Sequence, residues 1–231
     1  MYTFIANDLI YKINHHQFKV KLPTEYELMQ KYNVSRNTIR KAIDIISQKG
    51  LVRRVQGSGY YINNIGADTD RIVNLTMGVS EGFNHQKLTS RVVTFDRMIA
   101  DRAMANEFGC EDGDELYRII RYRYRKNQPY ILEYAYYERN EVPFLPVDVL
   151  HESILEFIKA EYDVTVDSSD QYVGIEPLSP EAASITGFPQ GDRYITLYQS
   201  HYRKNNVLFN FSKTYYLDRG TRFYFHAINQ S

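Results

Sequence analysis

The sequence predicts an α+β protein built from two parts, a small helical head and a larger body with an antiparallel sheet. Two observations predict this division. Residues 1–62 contain three stretches with helical spacing of apolar residues, followed by a short glycine-rich hairpin. Residues beyond about 100 contain two copies of one pattern, a short helix and a long alternating hairpin, at a constant offset of 78 residues. One sheet made from two such hairpins, with helices packed on a face, is an α+β arrangement.

The head begins with two predicted helices. The first is indicated by apolar residues at helical spacing, namely Tyr2, Ile5, Leu9 and Ile13. The second opens at Leu22–Leu28, where Thr24 and Glu27 have the capping-box spacing that lets each side chain satisfy a free amide at the helix start. We expect this helix to end near Tyr32.

A third helix is predicted after a tight turn at Asn33 and Val34. Ser35 is a good N-cap for it, and Gly50 is a good C-terminal stop. Four residues at i, i+3, i+4 and i+7 form a single stripe that should be buried, namely Ile39, Ala42, Ile43 and Ile46. Two helices joined by a tight turn result.

Polar residues of the third helix lie off this stripe, in its first two turns, namely Arg36, Asn37, Arg40 and Lys41. Arginine and asparagine can read guanine and adenine in the major groove, and Ser35, Thr38 and Lys41 can meet phosphates. Each basic residue alone is as well explained by a solvated surface charge. The prediction of DNA binding therefore rests on their combination with the capped helix pair.

A short hairpin follows the third helix. Leu51–Val55 and Tyr60–Ile62 alternate around a tip formed by Gln56–Gly59. The glycines of the tip let it turn tightly and approach a nucleic-acid backbone, with Arg53 and Arg54 beside it. Three helices and this wing predict a winged helix-turn-helix that binds double-stranded DNA.

Charge is distributed unevenly along the chain. Residues 1–66 hold 10 Lys and Arg against 4 Asp and Glu, and the other residues hold 18 against 24, so a neutral chain has a basic head and an acidic body. Only the head is then suited to a polyanion. The single cysteine, Cys110, excludes an internal disulfide, and no apolar run approaches the ~18 residues of a membrane span. We expect a cytoplasmic protein without a membrane partner.

Four segments of the head carry a resemblance to a known family, namely Leu22-Pro23-Thr24-Glu25, residues 34–42, Gly50-Leu51-Val52 and Gly57-Ser58-Gly59. They resemble the GntR family of bacterial transcription regulators over about the first 62 residues. Tyr26 departs from the pattern, because an arginine is common there. Helix position and resemblance together give the expected DNA-binding residues: Thr24, Glu25, Ser35, Arg36, Asn37, Thr38, Arg40, Lys41, Arg53, Arg54, Gly57, Ser58 and Gly59.

The body contains an internal repeat. Gly109-x3-Gly113-Asp114 recurs as Gly187-x3-Gly191-Asp192, and the Tyr-Arg-Lys-Asn of residues 124–127 recurs at 202–205. Each copy is predicted as a helix and a long hairpin: Asp101–Phe108 with Leu116–Arg139, and Pro180–Thr186 with Arg193–Asp218. Between the copies, Ser153 and Glu156 have capping-box spacing at the start of a further helix.

The strand Leu116–Lys126 concentrates positive charge. Because side chains alternate along a strand, Arg121, Arg123 and Arg125 should share one face. The positions 78 residues later are Gln199, His201 and Arg203. This divergence suggests a ligand bound off-centre between the copies, and the guanidinium group suits phosphate or carboxylate. The alternative is a solvated basic face paired with carboxylates.

This layout behind a GntR-type head resembles the HutC-like branch of the family, whose UTRA effector domain has a chorismate-lyase-like fold. The resemblance covers roughly Leu75–Ala227 and implies binding of a small metabolite, often a phosphorylated sugar. It implies contacts to the phosphate from Ser80, Arg121, Arg123 and Ser153, and contacts to the sugar from Glu133, Asn210 and Tyr216. Leu155 and Asn210 depart from the pattern, standing where a tyrosine and a glutamate are usual.

We therefore expect a DNA-binding domain at 1–64, a linker at 65–72 and an effector-binding and dimerisation domain at 73–231. The expected protein is a transcription repressor that binds a palindromic operator as a homodimer and responds to a small anionic effector, without cofactor or metal. One alternative is a regulator whose second domain only dimerises or binds a non-phosphorylated carboxylate. Another is an enzyme of chorismate-lyase-like fold, although the sequence has no nucleophile motif, P-loop or metal-ligand spacing.

Overall fold

The computed structural model describes residues 1–63, 71–75 and 88–225. The chain folds as two compact units, Met1–His85 with Arg222–Ser231, and Gln86–Thr221. No helix within the described ranges is both long enough and apolar enough to span a membrane. The expected linker at 65–72 lies mostly outside these ranges.

Three helices form the core of the first unit: α1 (Tyr2–Asn14), α2 (Glu25–Tyr32) and α3 (Arg36–Gln48). The predicted capping box is confirmed, since the Thr24 amide donates to Glu27 Oε2 at 2.7 Å and the Glu27 amide donates to Thr24 Oγ1 at 3.2 Å. The predicted stripe of α3 is buried completely and packs with residues of the other two helices, including Ile5, Leu9 and Leu28.

The predicted wing is also confirmed. Strands β1 (Val52–Val55) and β2 (Gly59–Ile62) pair antiparallel, with Val52 opposite Ile62. Residues 20–22 add a short third segment to this hairpin, because Lys21 bridges to Tyr61 and the Ile62 amide donates to the Val20 carbonyl. The sequence did not predict this segment.

Two short strands complete the first unit. Strand β3 (Ile72–Asn74) pairs in parallel with β10 (Arg222–Tyr224), which comes from the C-terminal end of the chain. Both strands belong to the compact unit of the three helices. The expected start of the second domain at residue 73 stays a prediction. In the structure, β3 and β10 pack with the head.

The second unit is one antiparallel sheet of six strands. They are β4 (Thr89–Ile99), β5 (Glu115–Arg125), β6 (Gln128–Glu138), β7 (Ser168–Pro177), β8 (Arg193–Arg203) and β9 (Val207–Tyr216). Their order across the sheet is β4-β5-β6-β9-β8-β7. The two copies of the repeat therefore meet at the central pair β6 and β9, and each copy has an outer strand in addition to the predicted hairpin.

Helices cover both faces of this sheet rather than one. Helices α4 (Arg102–Phe108) and α6 (Pro180–Thr186) pack against clusters that contain Phe211 and Tyr134 respectively. Helix α5 (Ile154–Tyr162) and the 3₁₀ turn at residues 147–151 pack against the opposite face, on Ile119. Arg121 and Arg123 lie on this second face, because they follow Ile119 at two-residue steps.

Candidate functional site

The second helix of the helix-turn-helix presents its polar residues to solvent. Ser35 caps α3, since its Oγ accepts from the Thr38 amide at 3.3 Å. The Arg36 and Arg40 side chains are 60% and 53% exposed, and Asn37 and Lys41 are exposed as well. The buried stripe fixes the orientation of α3, so these four side chains project from the face that is free to enter a groove.

Glu25 links α3, the expected recognition helix of the helix-turn-helix, to the wing. Its carboxylate receives the Arg40 Nε at 3.1 Å, lies 3.5 Å from the Arg36 Nε, and accepts from the Tyr60 hydroxyl at 3.2 Å. Burial opposes its ionisation, but the hydrogen bond and charge of Arg40 outweigh burial and lower the pKa of Glu25. A carboxylate repels phosphate, so a direct contact between Glu25 and the DNA backbone is unfavourable. Glu25 can instead serve DNA binding by orienting the two arginines.

A concavity of about 210 Å³ lies between the start of α2 and the wing. Thr24, Arg54 and the glycine-rich tip line it, and so does Lys21, whose Nζ donates to the Ser58 carbonyl at 3.2 Å. Arg53 and Arg54 are exposed beside it. Sequence reasoning missed Lys21, which only the added third segment of the wing brings to this surface.

Arg121 and Glu133 form a buried ion pair at the centre of the second unit. They stand opposite each other on β5 and β6, with Arg121 Nε 2.7 Å from Glu133 Oε2. Arg121 Nη1 also donates to the carbonyls of Leu150 and Glu152, at 3.2 and 3.1 Å. Burial opposes ionisation of Glu133, yet the charges of Arg121 and Arg123 prevail and lower its pKa. Each of the three guanidinium nitrogens of Arg121 thus has a partner within the chain.

Arg123 is also buried, but its polar contacts are weaker than those of Arg121. Only 6% of the residue is exposed, its nearest carboxylate oxygen is Glu133 Oε2 at 4.0 Å, and its Nε has no hydrogen-bond partner among the described residues. Burial, followed by the charge of Arg121, lowers the pKa of Arg123, while Glu133 opposes this shift. The Oγ1 of Thr214, which stands opposite Glu133, is likewise buried without a partner in the described part of the chain.

Arg125 does not join the Arg121–Glu133 pair. The register between β5 and β6 shifts after Arg123, and Arg125 pairs with Asp218 at 2.7 Å and lies over the Tyr130 ring. The charged cluster around Glu133 therefore contains Arg121 and Arg123, and Arg125 has a carboxylate partner of its own.

The remaining predicted effector residues lie at different places. Tyr216 follows Thr214 on the same face, and burial raises its pKa well above the ordinary value. Asn210 is buried, with Oδ1 2.8 Å from His201 Nδ1 and Nδ2 donating to the Tyr136 carbonyl. Ser153 is half-buried at the N-cap of α5, next to Glu152, whose carbonyl Arg121 binds. Ser80 lies outside the described residues.

The second copy of the repeat supplies a neutral counterpart to this charged set. Gln199 and His201 occupy the positions of Arg121 and Arg123, and Ser212 stands opposite Gln199 as Glu133 stands opposite Arg121. All three are buried, and burial lowers the pKa of His201. The sequence pattern did not assign Gln199 and His201 to the site. Their two-residue spacing after Ile195 and Leu197 was the available signal.

These features define a class of protein, a winged helix-turn-helix DNA-binding head joined to a sheet domain with a buried, ionised polar face. Residues 1–62 match the bacterial regulatory proteins of the gntR family, and residues 84–223 match the UTRA domain. The chain belongs to the GntR-type regulators that carry a UTRA domain, and it is a transcription regulator rather than an enzyme. Within the described residues no group of His, Cys, Asp and Glu could hold a metal ion.

Named relatives confirm this class. The uncharacterised HTH-type transcriptional regulator YydK of Bacillus subtilis is 25% identical, over 93% of this chain and 92% of its own length. The mannosyl-D-glycerate transport/metabolism system repressor MngR of Escherichia coli is 29% identical, over 69% of this chain and 65% of its own. The crystal structure of YydK is similar to this chain, with a TM-score of 0.80 and 25% identity. The match covers 98% of this chain and 99% of the YydK chain.

Proposed function

We propose that the chain is a repressor whose hold on operator DNA is controlled by a small anionic effector, most simply a phosphorylated sugar. The effector binds on the sheet face that carries Arg121, Arg123 and Glu133, with Ser153 beside its phosphate. The observation that carries this proposal is the Arg123 guanidinium, which is buried while its Nε lacks a partner among the described residues.

The charge balance of this face favours an anion. Arg121 and Arg123 contribute two positive charges and Glu133 one negative charge, and all three residues are at most 9% exposed. Burying an uncompensated charge costs several kcal/mol, roughly, unless a counter-charge is supplied. Glu133 neutralises Arg121, so the unbalanced positive charge lies on Arg123. A phosphate oxygen at hydrogen-bond distance would neutralise this charge through a charge-assisted contact.

Neutral polar groups beside the charged set suit a hydroxylated ligand. Thr214, Tyr216 and Asn210 lie on the strand that pairs with the strand of Glu133. Glu133 can accept from a sugar hydroxyl while Arg121 holds its other lone pairs. The relative MngR is named for mannosyl-D-glycerate, a glycosylated organic acid, which supports an anionic sugar derivative as the class of effector.

A thermal-shift screen tests the proposal. The probes are glucose 6-phosphate, fructose 6-phosphate and glucosamine 6-phosphate, each against its unphosphorylated sugar and against gluconate, on the wild type. At a hundredfold excess over its dissociation constant, a bound effector adds about 2.7 kcal/mol to the free energy of unfolding. We expect a phosphorylated member to stabilise the chain and its free sugar to fail.

Two variants make this screen specific to the site. Arg123→Ala should abolish the response, whereas Arg118→Ala should keep it. Arg118 is a matched control because it lies on the same strand but on the other face, paired with Asp96. Stabilisation by gluconate alone would replace phosphate by carboxylate as the recognised group. An undiminished response in Arg123→Ala would contradict the proposed site.

The proposal includes a homodimer on a near-palindromic operator. One recognition helix reads only a few base pairs, so pairing two half-sites about one helical turn apart supplies the affinity that a regulator needs. The larger sheet unit offers the dimer surface.

A further inference from the structure

The end of the recognition helix is held by residues from outside the helix-turn-helix. The last four carbonyl groups of a helix lack partners within it. Beyond the end of α3, the Lys49 carbonyl accepts from Asn74 Nδ2 at 3.0 Å, and the Gly50 carbonyl accepts from Tyr224 Oη at 3.2 Å. Asn63 Nδ2 adds a bond to the Gly50 carbonyl at 2.8 Å.

Asn74 and Tyr224 come from the strand pair β3 and β10. Their backbones run side by side, with Tyr224 opposite Asn74 and the Leu75 amide donating to the Tyr224 carbonyl at 2.9 Å. Asn74 is only 4% exposed, so the hydrogen bond donated by its side-chain amide is shielded from water. The Tyr224 hydroxyl is protonated at neutral pH, as is usual for tyrosine, so it can donate, and burial raises its pKa further.

Strand β10 is the next strand in the chain after β9, the strand that carries Asn210, Thr214 and Tyr216. Residues 217–221 connect the two strands, and hydrogen bonds and an ion pair hold this connection in place. The Leu217 amide donates to the Tyr130 carbonyl at 2.9 Å, Asp218 pairs with Arg125, and the Thr221 amide donates to the Asp218 carbonyl at 3.0 Å. A displacement of the end of β9 therefore has a short, restrained path along the chain to β10.

We propose that Tyr224 and Asn74 are positioning residues, which hold the C-terminal end of the recognition helix on the strand pair and so transmit displacement of β9 to the DNA-binding helix. Coupling between two sites is reciprocal, so DNA bound to the head must also alter the stability of β9. This consequence can be measured without any effector, and the test is therefore independent of the proposed ligand.

The experiment is amide hydrogen exchange on the full chain, free and bound to a duplex that the wild type has selected from a random pool. In the wild type, DNA should slow exchange of the Gly50 and Leu51 amides and of Thr214–Tyr216, by at least about fivefold, the lower end of ordinary allosteric coupling. In Tyr224→Phe, slowing in β9 should fall to less than half of that value, while the duplex still binds.

Tyr162→Phe is the matched control. The Tyr162 hydroxyl also donates to a backbone carbonyl, that of Phe144 at 2.6 Å, but within the second unit. It should keep the wild-type response in β9. Asn74→Ala provides a second variant that should behave as Tyr224→Phe. The inference is overturned if DNA leaves β9 unchanged in the wild type, or if Tyr224→Phe and Asn74→Ala retain the full response.

Discussion

Arg36 and Arg40 are the residues on which sequence-specific binding depends in this account. Both contact Glu25 in the free protein, and both side chains remain more than half exposed. Arg36→Ala and Arg40→Ala should each leave the fold intact and reduce the preference for operator over random DNA by about 1–3 kcal/mol, the worth of a bidentate base contact. Binding titrations on both duplexes measure this preference.

Lys41→Ala provides the contrast for these two variants. Lys41 is exposed on the same helix and lies over the ring of Tyr2, and its flexible ammonium suits a phosphate. Its loss should weaken operator and random DNA equally. A double variant of Arg36 and Arg40 that keeps wild-type discrimination would show that sequence is read elsewhere.

Glu138 gives the second unit a pH-dependent weakness. Burial, followed by hydrogen bonding to Asp114 and repulsion from that carboxylate and its neighbours, raises the pKa of Glu138 to about 8. Because the folded pKa lies above the unfolded value near 4.5, protonation of Glu138 stabilises the fold below about pH 4.5, and this stabilisation is lost as the pH rises toward 8.

Glu138→Gln should therefore raise the free energy of unfolding at pH 8 by on the order of 1–3 kcal/mol and have little effect at pH 4.5. Denaturant titration at both pH values measures this difference. Glu115→Gln is the control, because the Glu115 carboxylate is largely exposed. An equal effect of Glu138→Gln at both pH values would exclude ionisation as the cause.

At the scale of elements, the sequence predicted those that carry their own local signals. The caps at Thr24 and Ser35 occupy the expected places, and the first glycine of each repeat motif ends α4 and α6. The outer strands were missed. β7 is mostly polar and lies at the sheet edge, and β4 has a bulge between Val92 and Thr94 that breaks its alternation.

Long-range features were beyond local reasoning. The pairing of β3 with β10 joins residues about 150 apart in the chain, and three-residue strands leave no detectable period. The facing of Arg121 and Glu133 depended on the loop length of their hairpin. Lys126 and Asn127 both have positive φ and make a two-residue turn that sets Arg125 opposite Gln128, and the register shift after Arg123 then brings Arg121 opposite Glu133.

The capping box at the start of α2 can be tested as an element. Thr24→Ala removes the side chain that accepts from the Glu27 amide, so the free energy of unfolding should fall by about 1 kcal/mol. Thr24→Ser keeps the hydroxyl and should retain most of this stability. Thermal unfolding compares the two variants, and equal losses would show that the Thr24 methyl group, rather than its hydroxyl, matters.

At the scale of the whole molecule, the protein should act as a dimer. We expect sedimentation to give a homodimer at micromolar concentration and one dimer per operator. Cutting the operator to a single half-site should reduce affinity by at least roughly a thousandfold, since the second head then contributes only non-specific contacts. A monomer that binds one half-site tightly would contradict this expectation.

Control of DNA binding by an anion on the Arg123 face is the central claim for the whole molecule. The effector must bind one DNA-binding state better than the other, since equal affinity would shift nothing. The most direct measurement is fluorescence anisotropy of a labelled operator duplex with wild type, Arg123→Ala and Arg118→Ala, titrated with the phosphorylated sugar that stabilises the chain and with its free sugar. The account predicts that the phosphorylated sugar changes operator affinity at least about fivefold in the wild type and in Arg118→Ala, and leaves Arg123→Ala unchanged. The same change in Arg123→Ala, or an equal effect of the unphosphorylated sugar, would contradict it.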